Sequence, residues 1–287
     1  MSARTDAGLA TVYHSPMTST VGPLRLSAPL LAAAIAGGCG KAPRMDPVDG
    51  SISDGPVVGT QDNPARTCAA LHAAGRPSDV YWLRDPQAQN PAFQVYCEQQ
   101  LNGGGWAMVE NSVRRDDGTT TTFWQFKYAD RLTQLGTPAA DQNYYDGALY
   151  LLGTEYMDVF VDLQDKTSVA AVMTATGINP TTMQFTTPHL TVGNSDVYVN
   201  QFAGGWSSQD FDGDPFAQNC AVQFANVAQH YGACWTYNLG ADADLVIIDG
   251  GVGPHVNSAT LSALGLSPQA DGGVYSQVKR IARFARW

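Results

Sequence analysis

The sequence has few charged residues and no excess of basic ones. Asp, Glu, Lys and Arg make up 15% of the chain, and 26 acidic residues against 16 basic ones leave a formal net charge of −10. A nucleic-acid partner needs clustered Lys and Arg to bind phosphate, so this charge balance argues against one. The many glycines and aromatic residues instead favour a loop-rich domain outside the cytoplasm.

Familiar catalytic motifs are missing as well. The chain has no G-x-S-x-G elbow, and none of its five histidines stands in a metal-binding spacing such as H-E-x-x-H. Acidic pairs among Asp242, Asp244 and Asp249 suit glycoside hydrolysis, but residues 244–249 are interpreted more simply as a strand with acidic ends. We therefore expect a protein that is not an enzyme, with a glycan-acting hydrolase as the less favoured alternative.

The chain has few cysteines, and four of them can form two disulfide bonds. Five cysteines occur without any C-x-x-C pair, which argues against a zinc ribbon or a thioredoxin-type redox site. Cys39 is the odd one, and Cys68, Cys97, Cys220 and Cys234 form an even set. Sequential pairing, Cys68–Cys97 and Cys220–Cys234, would close two short loops.

A short apolar run near the N-terminus indicates export. Residues 24–38 are mostly Leu and Ala, too few to span a membrane comfortably, and they end in small residues before Cys39. The Ala36–Cys39 end resembles a bacterial lipobox. It implies a lipoprotein signal peptide over residues 1–38, with Met17 as a possible true start, and lipidation of Cys39. A short buried helix is the alternative.

The sequence changes character after Cys39. Residues 39–65 are rich in Pro, Gly and Asp and predict a flexible, lipid-anchored linker, followed by a folded domain over residues 66–287. We expect an exported protein anchored to a bacterial outer membrane, facing the periplasm or the surface, that touches the membrane through its lipid only. Local patterns predict a helix at 68–75 and strands at 80–83, 92–97, 105–109, 159–163, 168–173, 197–200 and 276–287.

The segment Asp210 to Cys220, DFDGDPFAQNC, concentrates hard oxygen ligands. Three aspartates alternate in a stretch too rich in Gly and Pro for a helix, an arrangement that suits Ca²⁺. It is not an EF-hand loop, because Pro215 and Ala221 stand where that loop has Gly and Glu. The alternative is a solvated turn in which Asp and Asn bind their own backbone.

Two separated signatures resemble the fibrinogen C-terminal (fibrinogen-related) domain, including its bacterial lipoprotein relatives. The first joins Cys68, VYWL at 80–83 and FQVYCE at 93–98 to GGGW at 103–106. The second is the loop at 207–220 followed by CWTYNLG at 234–240. The resemblance covers residues 66–287 and implies an α+β domain with a mostly antiparallel sheet, short helices and a loop-rich calcium-binding subdomain.

The resemblance also implies a set of Ca²⁺ ligands. Asp212 and Asp214 would give side-chain oxygens, and Phe216 and Gln218 would give backbone carbonyls. Asp210 would stand outside the ligand set and shape the loop.

In the resembled family, a pocket beside the second disulfide recognises acetyl groups, sugars or a peptide knob, and the peptide bond before the cysteine is cis in many members. The candidate ligand-binding residues here are Tyr231, Ala233, Cys234, Trp235, Tyr237 and Asn238. Aromatic residues that only pack a loop-rich core are the alternative. We expect a calcium-stabilised, lectin-like module that binds a carbohydrate or acetylated surface ligand. A structural or adhesive surface lipoprotein with a protein partner is the second hypothesis.

Overall fold

Strands dominate the part of the chain that the computed structural model describes, which comprises residues 58–84, 91–117, 119–193, 200–201, 203–232, 234, 236–240, 253–270 and 273–287. The helices are short: α1 (Cys68–Ala73), α2 (Thr119–Phe123), α3 (Gly147–Tyr150), α4 (Cys220–Gln223) and α5 (Ser258–Ala263). The strands are β1 (Asp79–Leu83), β2 (Phe93–Glu98), β3 (Trp106–Val113), β4 (Gln134–Gly136), β5 (Tyr144–Asp146), β6 (Glu155–Val161), β7 (Thr167–Thr174), β8 (Gly177–Ile178), β9 (Phe185–Thr186), β10 (His189–Val192), β11 (Trp206–Ser207), β12 (Gln229–His230), β13 (Tyr237–Asn238), β14 (His255–Asn257), β15 (Tyr275–Gln277) and β16 (Arg280–Arg286).

One large antiparallel sheet carries the fold. Its strand order is β1-β2-β3-β16-β6-β7-β10, and β5 joins β4 to β3. The last strand of the chain, β16, lies in the middle, between β3 and β6. Smaller sheets of two or three strands, β8-β9, β11-β12 and β13-β14-β15, build the rest of the described fold. The predicted α+β class with a mostly antiparallel sheet is confirmed.

Most of the predicted elements correspond to observed ones. The expected strands at 80–83, 92–97, 105–109, 159–163 and 168–173 match β1, β2, β3, β6 and β7. The fourth ends earlier than expected, at Val161, because the Asp162 carboxylate accepts hydrogen bonds from the backbone N–H groups of Gln164 and Lys166, both at 2.9 Å, and starts a turn. The expected strand at 197–200 falls mostly outside the described residues, as do Cys39, the signal peptide and residues 244–249.

The expected closing strand at 276–287 is in fact two strands in two sheets. β15 pairs with β14, whereas β16 joins the large sheet. At the change of partner, the N–H of Val278 donates to the carbonyl of Pro254 (3.0 Å) and that of Lys279 donates to Val161 (2.8 Å). The sequence pattern could not predict this change of partner. Basic and apolar residues alternate along the whole segment, and this alternation does not indicate which strand each half pairs with.

Contacts of the folded part begin before the expected boundary at residue 66. Ala65 is buried, and its N–H donates to the carbonyl of Trp82 at 3.0 Å. The N–H of Trp82 donates in turn to Gly59 at 2.9 Å. Residues 59–65 therefore pack along β1, although their composition resembles that of the preceding linker.

In the GGGW segment, at residues 103–106, the backbone conformation and close packing favour glycine. The glycines at 103–105 all have positive φ, from 68° to 81°. A Cβ on Gly104 would lie only 2.4 Å from Nδ1 of His72. The segment delivers Trp106 fully buried into the sheet, where the Arg286 guanidinium lies 4.2 Å from the ring centroid. The disulfide Cys68–Cys97 is present and ties α1 to β2 beside this turn.

Candidate ligand pocket and calcium loop

A buried hydroxyl shapes the aspartate loop. Ser207, the last residue of β11, is fully buried, and its Oγ accepts hydrogen bonds from the N–H groups of Gly213 and Asp214, both at 3.0 Å. The same hydroxyl donates to Oδ2 of Asp214 at 2.7 Å. The loop is thereby folded back onto its own strand. The aspartate spacing did not single out this serine.

The Asp214 carboxylate is the centre of the loop's hydrogen bonds. Oδ1 accepts from the N–H of Phe216 (3.0 Å) and from the Cys220 thiol (3.4 Å). Oδ2 accepts from Ser207 and from the Cys220 N–H (3.2 Å). A carboxylate has about four lone-pair sites, so each oxygen is already engaged by two donors, and a cation at Asp214 would have to share or displace some of them.

Asp212 lies beside Asp214, and the negative charges of the two carboxylates act on each other. Burial, and then the negative charge of Asp214, raise the pKa of the Asp212 carboxyl. In the described part of the chain, no Lys or Arg forms an ion pair with either carboxylate. A divalent cation would remove the repulsion, and its oxygen preference matches these groups. Among the described residues, no group of three His, Cys, Asp or Glu side chains is arranged to hold a metal ion, so backbone carbonyls would have to complete the shell.

Asp210 makes different contacts from the other two aspartates. Its Oδ1 accepts from the backbone N–H of Tyr128 (3.0 Å) and from the hydroxyl of Ser208 (2.8 Å). The bond from Tyr128, more than any other contact, lowers the pKa of the Asp210 carboxyl. The Tyr128 ring also stacks on Phe211, with 4.1 Å between centroids. Asp210 therefore anchors the loop to the segment before it.

A small pocket lies beside this loop. Its volume is about 320 Å³, and it is lined by Asn200, Ala203, Gly204, Pro215 and Gly232. A Cβ on Gly204 would lie 1.9 Å from the carbonyl oxygen of Tyr231, and one on Gly232 would lie 2.9 Å from that of Asn200. The walls are therefore largely backbone, brought together closely because two glycines carry no side chain. None of these five lining residues is ionisable.

Three of the predicted ligand-binding residues are buried and are not among the residues that line the pocket. Tyr231, Tyr237 and Asn238 are at most 1% exposed. The Tyr231 hydroxyl donates to the carbonyl of Val227 at 2.7 Å, and Oδ1 of Asn238 accepts from the N–H of Gly240 at 2.9 Å. The Tyr231 hydroxyl and the Asn238 side-chain oxygen are therefore used within the fold.

The remaining predicted residues have other outcomes. Cys234 is partly exposed, and its carbonyl accepts from the N–H of Gly232 at 3.0 Å, which closes a tight turn at the pocket edge. Ala233 and Trp235, and with them the peptide bond before Cys234, lie outside the described residues. The residues that line the pocket were missed, although Gly232 stands within the predicted segment and, like Gly204, is a residue type that permits close backbone approach.

The predicted disulfide between Cys220 and Cys234 is not formed. Both are free thiols, although the two side chains are hydrogen-bonded neighbours. Burial raises the pKa of each thiol. The protonated Cys220 thiol donates to Asp214 instead of bonding covalently to Cys234.

Two buried glutamines fix the segment that carries the pocket edge. The Gln201 side chain donates to the carbonyl of His230 (3.0 Å) and accepts from the N–H of Thr236 (3.1 Å). The Gln229 side chain donates to the carbonyl of Tyr237 (2.9 Å) and accepts from the N–H of Leu239 (2.8 Å). Each amide satisfies one backbone carbonyl and one backbone N–H in this part of the chain.

A buried ion-pair network lies beneath this segment. The Arg283 guanidinium donates to both oxygens of Asp158, at 2.6 and 3.1 Å, and Nη1 lies 3.3 Å from Glu110. It also donates to the hydroxyls of Tyr150 (3.1 Å) and Tyr237. Burial raises the pKa of Glu110, while the Arg283 charge opposes the rise. The network therefore holds Tyr237, and the strand it belongs to, against the large sheet.

His230 borders the same network and is held neutral. Its Nε2 lies 2.8 Å from the carbonyl of Met183, to which it donates, and its Nδ1 lies 3.4 Å from Nη1 of Arg283. Complete burial, and then the positive charge of Arg283, lower the pKa of His230 to about 3.

Among the described residues, no helix combines the length and the apolar character needed to cross a membrane.

Comparison with known proteins finds relatives whose sequence similarity covers only part of each chain. No protein-family model matches the chain. It is similar to human fibroleukin (32% identical over 91 residues, 31% of this chain and 18% of that protein) and to mouse angiopoietin-related protein 6 (43% over 65 residues, 22% and 13%). Fibrinogen C domain-containing protein 1-B of Xenopus laevis is 26% identical over 187 residues, 61% of this chain and 39% of that protein. The chain thus spans well under half the length of these relatives.

A solved structure with a similar fold is known. The fibrinogen-like globe domain of human ANGPTL6 superimposes with a TM-score of 0.56 at 24% identity, covering 78% of this chain and 96% of that domain. At this identity the likeness concerns the fold, and it extends over nearly the whole of the other domain.

Proposed function

Because the chain has the fold of a fibrinogen-like globe domain, we propose that it is a non-catalytic recognition module, stabilised by Ca²⁺, that binds a carbohydrate or acetylated ligand outside the cytoplasm. The observation that carries this proposal is the small, backbone-walled pocket next to the Asp212–Asp214 pair. A loop that holds an ion and also forms a pocket wall can order the binding site without taking part in chemistry.

The pocket suits a small neutral group. Ala203 and Pro215 offer apolar contact, and the approaching backbones at Gly204 and Gly232 offer peptide groups. An acetamido group has the same mixture, a methyl beside an amide, and pockets with apolar walls and few polar groups are typical of small-molecule sites. The lack of an ionisable side chain among the lining residues favours binding over catalysis.

Ca²⁺ would be held by the side chains of Asp212 and Asp214 and by the carbonyls of Phe216 and Gln218. When bound, the ion supplies positive charge that neutralises two adjacent carboxylates. Pro215 stands between these residues and lines the pocket. Fixing the loop therefore fixes one wall. A ligand present at a hundred times its dissociation constant, bound by the folded state alone, stabilises a protein by about 2.7 kcal/mol.

The proposed setting is the outside of a bacterial membrane. The apolar run at 24–38 and the lipobox-like end at Ala36–Cys39 support export and lipidation of Cys39. Residues 39–58 would then tether the domain away from the lipid.

The pocket assignment is tested by filling it. Titration calorimetry with N-acetylglucosamine compares the parent with Ala203→Leu, which occupies the pocket, and with Ala203→Ser, which keeps its volume. We expect Ala203→Leu to abolish binding and Ala203→Ser to retain it. Equal binding by all three proteins would contradict the pocket, and absence of binding by the parent would contradict this ligand class.

A second candidate function rests on apolar exposure next to the loop. Phe216 is 43% exposed and Val222, on α4, is 55% exposed. An adhesive module would bury such residues against a protein partner. The double variant Phe216→Ser/Val222→Ser should then lose binding to target cells while its calorimetric response to N-acetylglucosamine stays unchanged. A lectin would show the reverse dependence, with Ala203→Leu abolishing both.

A further inference from the structure

A second cavity lies between α2 and the β4–β5 hairpin. Its volume is about 400 Å³, somewhat larger than the pocket at Gly204, and the two cavities share no lining residue. It is lined by charged, amide, hydroxyl and aromatic side chains, among them Arg115, Asp117, Phe123, Thr137 and Gln142. This mixture differs from the backbone walls of the first pocket.

The shape of the cavity is built into the hairpin. Gly136, the last residue of β4, has φ of 74°, and a Cβ there would lie 2.2 Å from the carbonyl oxygen of Asn143 and 3.0 Å from the Phe123 ring. Phe123 is half-buried and packs edge-on against Trp124, with 5.3 Å between centroids. Because Gly136 has no side chain, space remains next to the Phe123 ring, and Trp124 packs against that ring.

Arg115 is a fixed donor at this cavity. Its Nη2 donates to the carbonyl of Asp141 (2.5 Å) and to Oε1 of Gln142 (3.2 Å), which hold the guanidinium in place. No acceptor for its Nε and Nη1 hydrogens occurs among the described residues. Those donors therefore remain for a ligand.

Asp117 supplies the matching acceptor. Its Oδ1 accepts from the N–H (3.0 Å) and the hydroxyl (2.7 Å) of Thr119, so the carboxylate is oriented, and these bonds lower its pKa. Within the described part of the chain, Oδ2 accepts from no other residue. A charged acceptor and a charged donor thus face the same cavity.

The combination selects a class of ligand. A pyranose ring has hydroxyls that both donate and accept and an apolar C–H face that packs on an aromatic ring. An anionic ligand is opposed by Asp117 and by the net charge of −10, and a cationic one is opposed by Arg115. We propose that this cavity is a second saccharide subsite, which binds a neutral sugar ring through Arg115, Asp117 and Phe123.

Two saccharide subsites would affect how the domain binds a glycan. Two independent subsites on one domain allow either one branched glycan or two neighbouring glycans to be held at once. Simultaneous engagement raises the overall affinity without any new contact, provided that the geometry permits both.

The test observes the cavity directly in the full chain. Uniformly ¹⁵N-labelled protein is titrated with the methyl α-pyranosides of glucose, galactose and mannose, and the side-chain amide signals of Gln142 and Asn143 are followed. We expect at least one glycoside to shift them in a saturable manner. Asp117→Asn should weaken that binding by about tenfold, the loss of one charge-assisted hydrogen bond, and Phe123→Leu should weaken it through the lost ring face.

A matched control keeps the result specific. Asp116→Asn changes the neighbouring, solvent-exposed acid and should bind like the parent. If none of the glycosides shifts these signals, or if Asp116→Asn weakens binding as much as Asp117→Asn, the proposal is wrong. N-acetylglucosamine binding and its loss in Ala203→Leu are measured separately, so that failure of one site is distinguished from failure of the other.

Discussion

Acid should destabilise this domain through His230. The ring is completely buried, donates to Met183 and lies beside the Arg283 guanidinium, and its pKa falls from 6.5 to about 3 in the folded protein. Above pH 6.5 the ring is neutral in both states. Below it, the unfolded chain takes up a proton that the folded protein refuses, so the unfolded state gains stability until the pH reaches about 3.

The size of this effect follows from linkage. Each pH unit inside that window costs the folded state about 1.4 kcal/mol per group, so two units cost roughly 2 to 3 kcal/mol. His255, with its pKa lowered to about 4, acts in the same direction. Asp146 acts oppositely, because its pKa is raised to about 6 and the folded state takes up its proton first as the pH falls. The total profile is therefore a sum, and a variant is needed to isolate His230.

The assay compares urea unfolding of the parent and His230→Gln at a series of pH values. Gln keeps a donor for Met183 but does not titrate, so its stability relative to the parent should improve by about 1.4 kcal/mol for each unit below pH 6.5. The matched variant His189→Gln, at an exposed position, should follow the parent. Parallel profiles for the parent and His230→Gln would refute the reasoning.

Three further outcomes are expected. Gly104→Ala should cost at least about 2 kcal/mol in thermal unfolding, because a positive φ disfavours any Cβ by roughly 1–2 kcal/mol and this one meets His72; a loss below about 0.5 kcal/mol would contradict the packing described. Asp210→Ala should weaken Ca²⁺ binding less than Asp214→Ala in calorimetry, since Asp210 binds the backbone of a neighbouring segment; equal losses would place Asp210 among the ligands. Cys39→Ser should abolish lipid labelling and processing, and unchanged mass and membrane partition would contradict lipidation.

Local features were the part that sequence could predict. Most strands of the large sheet follow from period-two patterns, and they and the disulfide Cys68–Cys97 are found where expected. The Asp210 carboxylate accepts from the backbone N–H of Tyr128, and its place outside a Ca²⁺ shell stays a prediction.

The support of the pocket depends on contacts between distant residues. Arg283 and Asp158 are 125 positions apart, and no local pattern connects them. Aromatic residues such as Tyr231 and Tyr237 suit a sugar site and a core equally well, and only their burial decides. No sequence pattern identified Gln201 and Gln229. An isolated glutamine gives no indication of the backbone groups that its side chain will bind in the folded protein.

The most direct test asks whether sugar binding depends on Ca²⁺. Calorimetric titration of N-acetylglucosamine into the full chain is done with Ca²⁺ and with a chelator, for the parent, Asp212→Ala and Asp214→Ala. We expect chelation to weaken sugar binding by at least about tenfold in the parent. Both variants should bind Ca²⁺ and the sugar more weakly than the parent does. Equal sugar affinity with and without Ca²⁺, or undiminished Ca²⁺ binding by both variants, would contradict a pocket that the cation organises.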